Sequence, residues 1–257
     1  MSDETRARLF TELVGIARTL RAENGCPWDR EQTLASLVPY VIEEAHEVGE
    51  AVAENPGDAL RSELGDLFFL ILMMVAISEE HGTFRMEDLL VGAAEKMRRR
   101  HPHVFGDVRV DGSADVMRNW ETIKRAESAD RKSPLDGVPK TLSALLRARR
   151  IQEKAANVGF DWPTTAGAFE KVEEETEEIR ARLAGGLDAA DEVGDLLFSV
   201  VNLSRFLRVN PEEALRATTE KFLRRFRHVE EAMAQSGRAL TLEEMDRAWE
   251  AAKAEEK

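Results

Sequence analysis

The sequence is poor in the residues that build disulfide-bonded, β-rich or membrane-embedded proteins. Its 257 residues include one cysteine, Cys26, so no intrachain disulfide can form, and Ser2-Asp3-Glu4 is acidic where a secretion signal would be basic. Both features predict a reducing, cytoplasmic location. The longest apolar run, residues 67–77, is too short to cross a bilayer, so we expect no membrane segment. With 8 prolines, 16 glycines and 6% aromatic residues, the composition favours helices over a sandwich or barrel.

Positive charge is also scarce. Lysine and arginine total 36 against 49 aspartates and glutamates, which gives a formal net charge of −13. A surface this acidic repels the nucleic-acid backbone, so we expect no nucleic-acid partner. A small phosphorylated ligand remains compatible, because local basic residues or a bound cation can offset the net charge at one site.

The chain contains an internal repeat. Residues 41–48 align with 172–179, 63–69 with 192–198, 95–100 with 220–225, and 120–124 with 249–253. An amphipathic helix opens each copy, at 9–22 and 142–155, and residues 128–139 between the copies lack apolar periodicity, as a linker does. The sequence therefore predicts an all-α fold of two tandem helical bundles. The predicted divisions are an N-terminal domain over 1–126, a linker over 127–140 and a C-terminal domain over 141–257.

Each copy places four carboxylates where two helices can bring them together. Residues three apart share a helix face, so Glu44 and Glu47 point the same way, as do Glu63 and Asp66 on the next, apolar helix. The C-terminal copy repeats the spacing with Glu175, Glu178, Glu192 and Asp195. Gathered negative charges oppose folding unless a cation lies among them, and hard oxygen ligands suit Mg²⁺ or Mn²⁺. A solvated acidic face is the alternative, which the repeated spacing disfavours.

A basic segment and a tryptophan follow near the C-terminus. Lys221, Arg224 and Arg225 lie on one predicted helix, and such side chains suit a polyphosphate whose charge is partly met by metal. Trp249 with Lys253 four residues later can stack on a base and contact a phosphate. A solvated basic helix and a packing tryptophan are the alternatives.

The acidic motifs carry a family resemblance. Glu174-Glu175-Thr176-Glu177-Glu178 followed by Glu192-Val193-Gly194-Asp195 resembles the MazG nucleoside triphosphate pyrophosphohydrolases, as do the segments at 26–29, 99–105, 158–161 and 221–226. The resemblance covers nearly the whole chain and is to the two-domain form of the family. It implies an all-α enzyme that requires Mg²⁺ and cleaves nucleoside triphosphates between the α- and β-phosphates, giving a monophosphate and pyrophosphate. It also implies a homodimer whose helical bundles are completed across the subunits.

The resemblance assigns roles to individual residues. Glu175, Glu178, Glu192 and Asp195 would be metal ligands, and the catalytic base would be one of these carboxylates or Glu174. The nucleotide site would comprise Lys171, Val172, Glu173, Glu174, Glu175, Asp195, Lys221, Phe222, Leu223, Arg224, Arg225, Trp249 and Lys253. Hydrolysis in this family is usually credited to the C-terminal copy, although the N-terminal carboxylate set is intact. Some relatives place a lysine where this chain has Asp188-Ala189-Ala190-Asp191, so the resemblance does not carry over a phosphate contact from this segment.

Other interpretations stay open at this point. One is a related all-α pyrophosphatase with a narrow substrate such as dUTP, dCTP or phosphoribosyl-ATP, and another is a non-catalytic helical module that binds nucleotides. A di-iron bundle is a third, because Glu43-Glu44-Ala45-His46 contains Glu-x-x-His. The second copy argues against it, since Glu177 stands where His46 has its counterpart.

Overall fold

A computed structural model describes residues 2–54, 57–127 and 133–256. All regular structure in these ranges is helical, which confirms the predicted all-α class. The chain divides into two compact units, Met1–Trp120 and Glu121–Lys257. The predicted linker over 127–140 begins after this division, and its residues 128–132 lie outside the described residues, so its bounds stay a prediction.

The first unit is built around two long helices that pack along one another. Its helices are α1 (Asp3–Arg21), α2 (Pro27–Glu31), α3 (Leu34–Glu54), α4 (Asp58–Glu80), α5 (Met86–Arg100), α6 (Pro102–Phe105) and the start of α7 (Ser113–Ala126). Helix α4 packs along α3 and also contacts α1. The core lies where these three helices meet, with Ala17 from α1, Leu37 from α3, and Met73 and Ile77 from α4 all buried.

The second unit repeats this plan. Its helices are α8 (Ala144–Ala156), α9 (Thr165–Ala184), α10 (Ala190–Phe206), α11 (Pro211–Ser236) and α12 (Leu242–Glu255). Helices α9 and α10 pack along one another as α3 and α4 do, and α8 contacts α10 as α1 contacts α4. Helix α11 starts at a proline after the Asn210 cap and ends at Gly237, whose φ of 64° suits a residue without Cβ. Helix α12 packs along α11.

Both units leave an apolar stripe open to solvent. On α4, Leu64, Phe68 and Ile71 are 39–48% exposed, and they share one helix face because they lie four and three residues apart. The equivalent residues of α10 form a matching stripe that is 44–54% exposed: Val193, Leu197 and Val200. We call these the α4 stripe and the α10 stripe. No described helix is long and apolar enough to cross a membrane.

Candidate metal and nucleotide site

The first unit gathers three carboxylates between α3 and α4. Glu44, Glu63 and Asp66 each offer an oxygen that lies within 4.8 Å of the other two. The sequence predicted that these residues meet, and the two helices bring them together. Glu47, the fourth predicted ligand, is not part of this close group, and His46 is exposed and outside it. The group therefore consists of oxygen donors alone, without the histidine that the di-iron interpretation needs.

Negative charge accumulates at this group. Burial first, and then the charges of Glu47, Asp66 and other nearby carboxylates, raise the pKa of Glu44. Burial, together with the charge and hydrogen bonding of Glu63, raises the pKa of Glu47. Both shifts have the direction expected for carboxylates forced together without a compensating cation.

Glu44 also has an unsatisfied oxygen. Its Oε2 atom is shielded from solvent and has no hydrogen-bond partner. Leaving an anionic oxygen in that state is costly, and a divalent cation held by hard oxygen ligands would satisfy it. The donor set therefore fits Mg²⁺ or Mn²⁺, which Glu44, Glu63 and Asp66 would hold.

The equivalent carboxylates of the second unit carry cationic partners instead. The Nζ of Lys171 lies 2.6 Å from Oε1 of Glu175 and 2.9 Å from Oε1 of Glu174. The Nε of Arg182 lies 2.6 Å from Oε1 of Glu192. Hydrogen bonds to Glu175 and then Glu174 raise the pKa of Lys171, which keeps it charged.

Two of these carboxylates are buried, and each has one oxygen that is paired and one that is not. Glu175 is 3% and Glu192 is 7% exposed, and the Oε2 atom of each has no hydrogen-bond partner. Glu178 and Asp195 lie on the same two helices and are exposed. Among the described residues, only Glu44, Glu63 and Asp66 of the first unit form a group whose carboxylate oxygens lie within 4.8 Å of one another. The C-terminal set thus lines the paired helices α9 and α10 without forming so close a group.

The basic residues of α11 cluster at the end of α12. The side-chain hydrogen bond from Arg225 is the main cause that lowers the pKa of Glu256, and the charges of Arg224 and Lys221 add to it. The Nε of Arg225 donates to Glu256 over 2.8 Å. The three cations that were predicted to bind phosphate therefore all lie close enough to Glu256 to affect it.

Trp249 packs against this basic helix. Its ring centroid lies 4.9 Å from that of Phe222, and the Arg225 guanidinium lies 5.8 Å from the indole centroid. Lys253 forms an ion pair with Glu250 at 3.1 Å. Trp249 thus has the packing role that the sequence left open as an alternative, and its nucleotide contact stays a prediction. The carbonyl of Val172 accepts a hydrogen bond from Thr176 within α9, and nucleotide binding by Val172, Glu173 and Leu223 stays a prediction.

Sequence reasoning missed a cavity beside Lys171. Its volume is about 550 Å³, and its walls include Gln152, Trp162, Lys171 and Asn202. Gln152 is 6% exposed, and its Nε2 donates to the carbonyl of Phe198 over 2.8 Å while its Oε1 has no partner. A polar residue on the buried face of α8 was the signal available in the sequence. Sequence reasoning also missed Arg182. Alignment of the two copies pairs Arg182 with Ala51, so the sequence already showed a positive charge that only the second copy has.

The fold and the site together define a class: an all-α enzyme with carboxylate sites suited to a divalent cation. Residues 32–105 match the MazG nucleotide pyrophosphohydrolase domain. The chain is 43% identical over 254 residues to the nucleoside triphosphate pyrophosphohydrolase of Escherichia coli, across 95% of this chain and 97% of that protein. It is 45% identical over 249 residues to the nucleoside triphosphate pyrophosphohydrolase/pyrophosphatase MazG of Thermotoga maritima, across 95% and 96%. The chain therefore belongs to the MazG nucleotide pyrophosphohydrolase family, as the resemblance predicted, and is a hydrolase.

Proposed function

We propose that the protein hydrolyses ribo- and deoxyribonucleoside triphosphates between the α- and β-phosphates, releasing a nucleoside monophosphate and pyrophosphate. The observation that carries this proposal is the buried, unsatisfied carboxylate oxygen repeated in both units, on Glu44, Glu175 and Glu192. The activity named for the relatives from E. coli and T. maritima supports the same reaction. The proposed role in the cell is clearance of unwanted nucleotides or control of nucleotide pools.

The carboxylates supply the chemistry of this reaction. When bound, Mg²⁺, or Mn²⁺ in its place, would supply positive charge for the phosphate oxygens and would make the attacking water more acidic. Glu175, Glu178, Glu192 and Asp195 would hold the cation in the second unit, and Glu174 or one of these residues would accept the proton from the attacking water. Attack is in line with the departing pyrophosphate.

The second unit also offers room for the nucleoside. A cavity of about 550 Å³ falls within the usual range for small-molecule sites, and aromatic and apolar side chains line most of it. Lys171 lies at this cavity and one helical turn before Glu175, so a nucleoside held there has its phosphates within reach of the carboxylates. Lys221, Arg224 and Arg225 are the further cations proposed for the phosphate tail.

A homodimer is part of the proposal. The α4 stripe and the α10 stripe supply open apolar surface of the kind that an obligate interface covers. We propose that a second copy of the chain covers these stripes. A reducing, cytoplasmic location is also part of the proposal, because a single cysteine cannot form an intrachain disulfide.

Matched substitutions in the two copies test the reaction and show how much of the turnover each copy contributes. We expect Glu178→Ala and Asp195→Ala to remove most of the turnover, because the nucleoside-sized cavity lies in the second unit. Glu47→Ala and Asp66→Ala are the matched N-terminal variants and measure the share of the first unit. Circular dichroism establishes that each variant keeps its helical fold. Full turnover in both C-terminal variants would overturn the assignment.

A further inference from the structure

The two copies differ at the positions that carry positive charge beside the carboxylates. Lys171, four residues before Glu175, has Tyr40 as its counterpart in the first copy. Arg182, seven residues after Glu175, has Ala51 as its counterpart. The second copy therefore contains two cations on α9 that the first copy lacks on α3.

In the second unit, both cations bind the two buried carboxylates directly. Lys171 and Arg182 each lie 2.6 Å from a carboxylate oxygen, on Glu175 and Glu192 respectively. Those carboxylates are almost fully buried, whereas the Lys171 and Arg182 side chains are 34% and 44% exposed, so water screens the ion pairs only in part. Each pair occupies one carboxylate oxygen and leaves the other one without a partner.

In the first unit, Tyr40 at the position of Lys171 packs against another aromatic ring instead of pairing with a carboxylate. The Tyr40 ring makes an edge-to-face contact with Trp28, with 5.9 Å between the centroids. The three carboxylates of Glu44, Glu63 and Asp66 come together within 4.8 Å, and the charges that act on Glu44 are all negative. This group has the charge that attracts a divalent cation by itself.

We propose that Lys171 and Arg182 are resident counter-ions of the C-terminal carboxylates, so that this copy binds its divalent cation together with nucleotide, whereas the N-terminal copy binds a cation alone. The proposal rests on the proposed function, since the triphosphate is the ligand that draws Lys171 away from Glu175. An ammonium and a divalent cation that share one buried carboxylate repel each other. Phosphate oxygens accept hydrogen bonds from lysine, and Lys171 already lies at the cavity wall. Lys171 and Arg182 are thus positioning residues that couple cation binding in this copy to nucleotide binding.

The test counts Mn²⁺ ions bound by the full chain without nucleotide, from the electron paramagnetic resonance signal of the free ion. We expect one tight Mn²⁺ per wild-type chain and none in Glu44→Gln. The next variant adds Lys171→Tyr and Arg182→Ala to Glu44→Gln, which gives the second copy the residues of the first. We expect this triple variant to regain one Mn²⁺, with an affinity at least about tenfold above any weak residual binding by Glu44→Gln.

Two results would overturn the proposal. One is a tight Mn²⁺ retained by Glu44→Gln, because Lys171 and Arg182 would then not exclude the ion. The other is a triple variant that keeps its circular dichroism spectrum but binds no more Mn²⁺ than Glu44→Gln. If the triple variant loses that spectrum, Lys171→Met together with Arg182→Met in the Glu44→Gln background gives the same comparison. Ion counting needs no turnover, so this outcome is independent of whether the wild type releases pyrophosphate.

Discussion

The guanidinium of Arg225 lies over the indole ring of Trp249, and the repeat places Arg100 over Trp120 in the same way. The distances to the ring centroids are 5.8 Å and 5.3 Å. The two units therefore share this cation–π contact in addition to their acidic helix pairs. In the second unit, Arg225 also donates to Glu256, which ties the end of α12 to α11.

Substituting these arginines separates a packing role from a phosphate role. We expect Arg225→Ala to lower the free energy of unfolding by about 0.5–2 kcal/mol, because it loses both the cation–π contact with Trp249 and the ion pair with Glu256. If Arg225 also holds the phosphate tail, KM for the nucleotide rises severalfold with little change in kcat. Arg100→Ala is the matched control, and steady-state kinetics with thermal unfolding measure both effects. An equal rise in KM in the two variants would contradict a specific phosphate role for Arg225.

Magnesium should stabilise the first unit through Glu44. A cation that binds only the folded protein adds about 2.7 kcal/mol when its concentration is one hundred times Kd. We expect Mg²⁺ to raise the unfolding temperature of the wild type and to have much less effect on Glu44→Gln. Glu12→Gln, which removes an exposed partner of Arg8, is the control and should respond like the wild type. A full response in Glu44→Gln would place the bound ion elsewhere.

The apolar stripes should hold the dimer together. Phe68→Glu in the α4 stripe and Leu197→Glu in the α10 stripe each put a charge on a surface that we expect to be buried between subunits. Sedimentation velocity should then show a shift from dimer to monomer. Leu242→Glu changes an 80% exposed leucine outside both stripes and should leave the mass unchanged. A wild type that sediments as a monomer would contradict the proposed assembly.

The start of α12 should weaken in acid. A hydrogen bond from Arg238 is the main cause that lowers the pKa of Glu244 to about 2, and the Thr241 backbone adds to it. A carboxylate whose pKa is lower in the folded state stabilises the fold above its ordinary value of 4.5, and this stabilisation disappears as the pH falls towards 2. Glu244→Gln should show a smaller loss of thermal stability across that interval than the wild type. Glu243→Gln, at the neighbouring position, should behave like the wild type.

Local spacing was enough to predict the repeat, the helices and the acidic faces. The opening helices predicted at 9–22 and 142–155 are Asp3–Arg21 and Ala144–Ala156, because amphipathic periodicity marks a helix better than it marks its ends. The meeting of Glu44 with Glu63 and Asp66 also follows from spacing on two paired helices.

Partners that depend on packing between helices could not be read in the same way. Arg182 reaches Glu192 from another helix, and Gln152 leaves one amide oxygen free inside a cavity formed by several segments. No periodicity within one helix encodes such contacts. The ion pair of Lys171 and Glu175 lies within one helix, at a spacing of four residues, but its burial comes from α9 packing on α10.

The most direct measurement is to identify the products formed from the common ribo- and deoxyribonucleoside triphosphates in the presence of Mg²⁺. Anion-exchange chromatography separates monophosphate, diphosphate, pyrophosphate and orthophosphate in one run. The proposed function predicts monophosphate and pyrophosphate in equal amounts. Diphosphate with orthophosphate would contradict cleavage between the α- and β-phosphates, and no turnover with either Mg²⁺ or Mn²⁺ would contradict hydrolysis of these substrates.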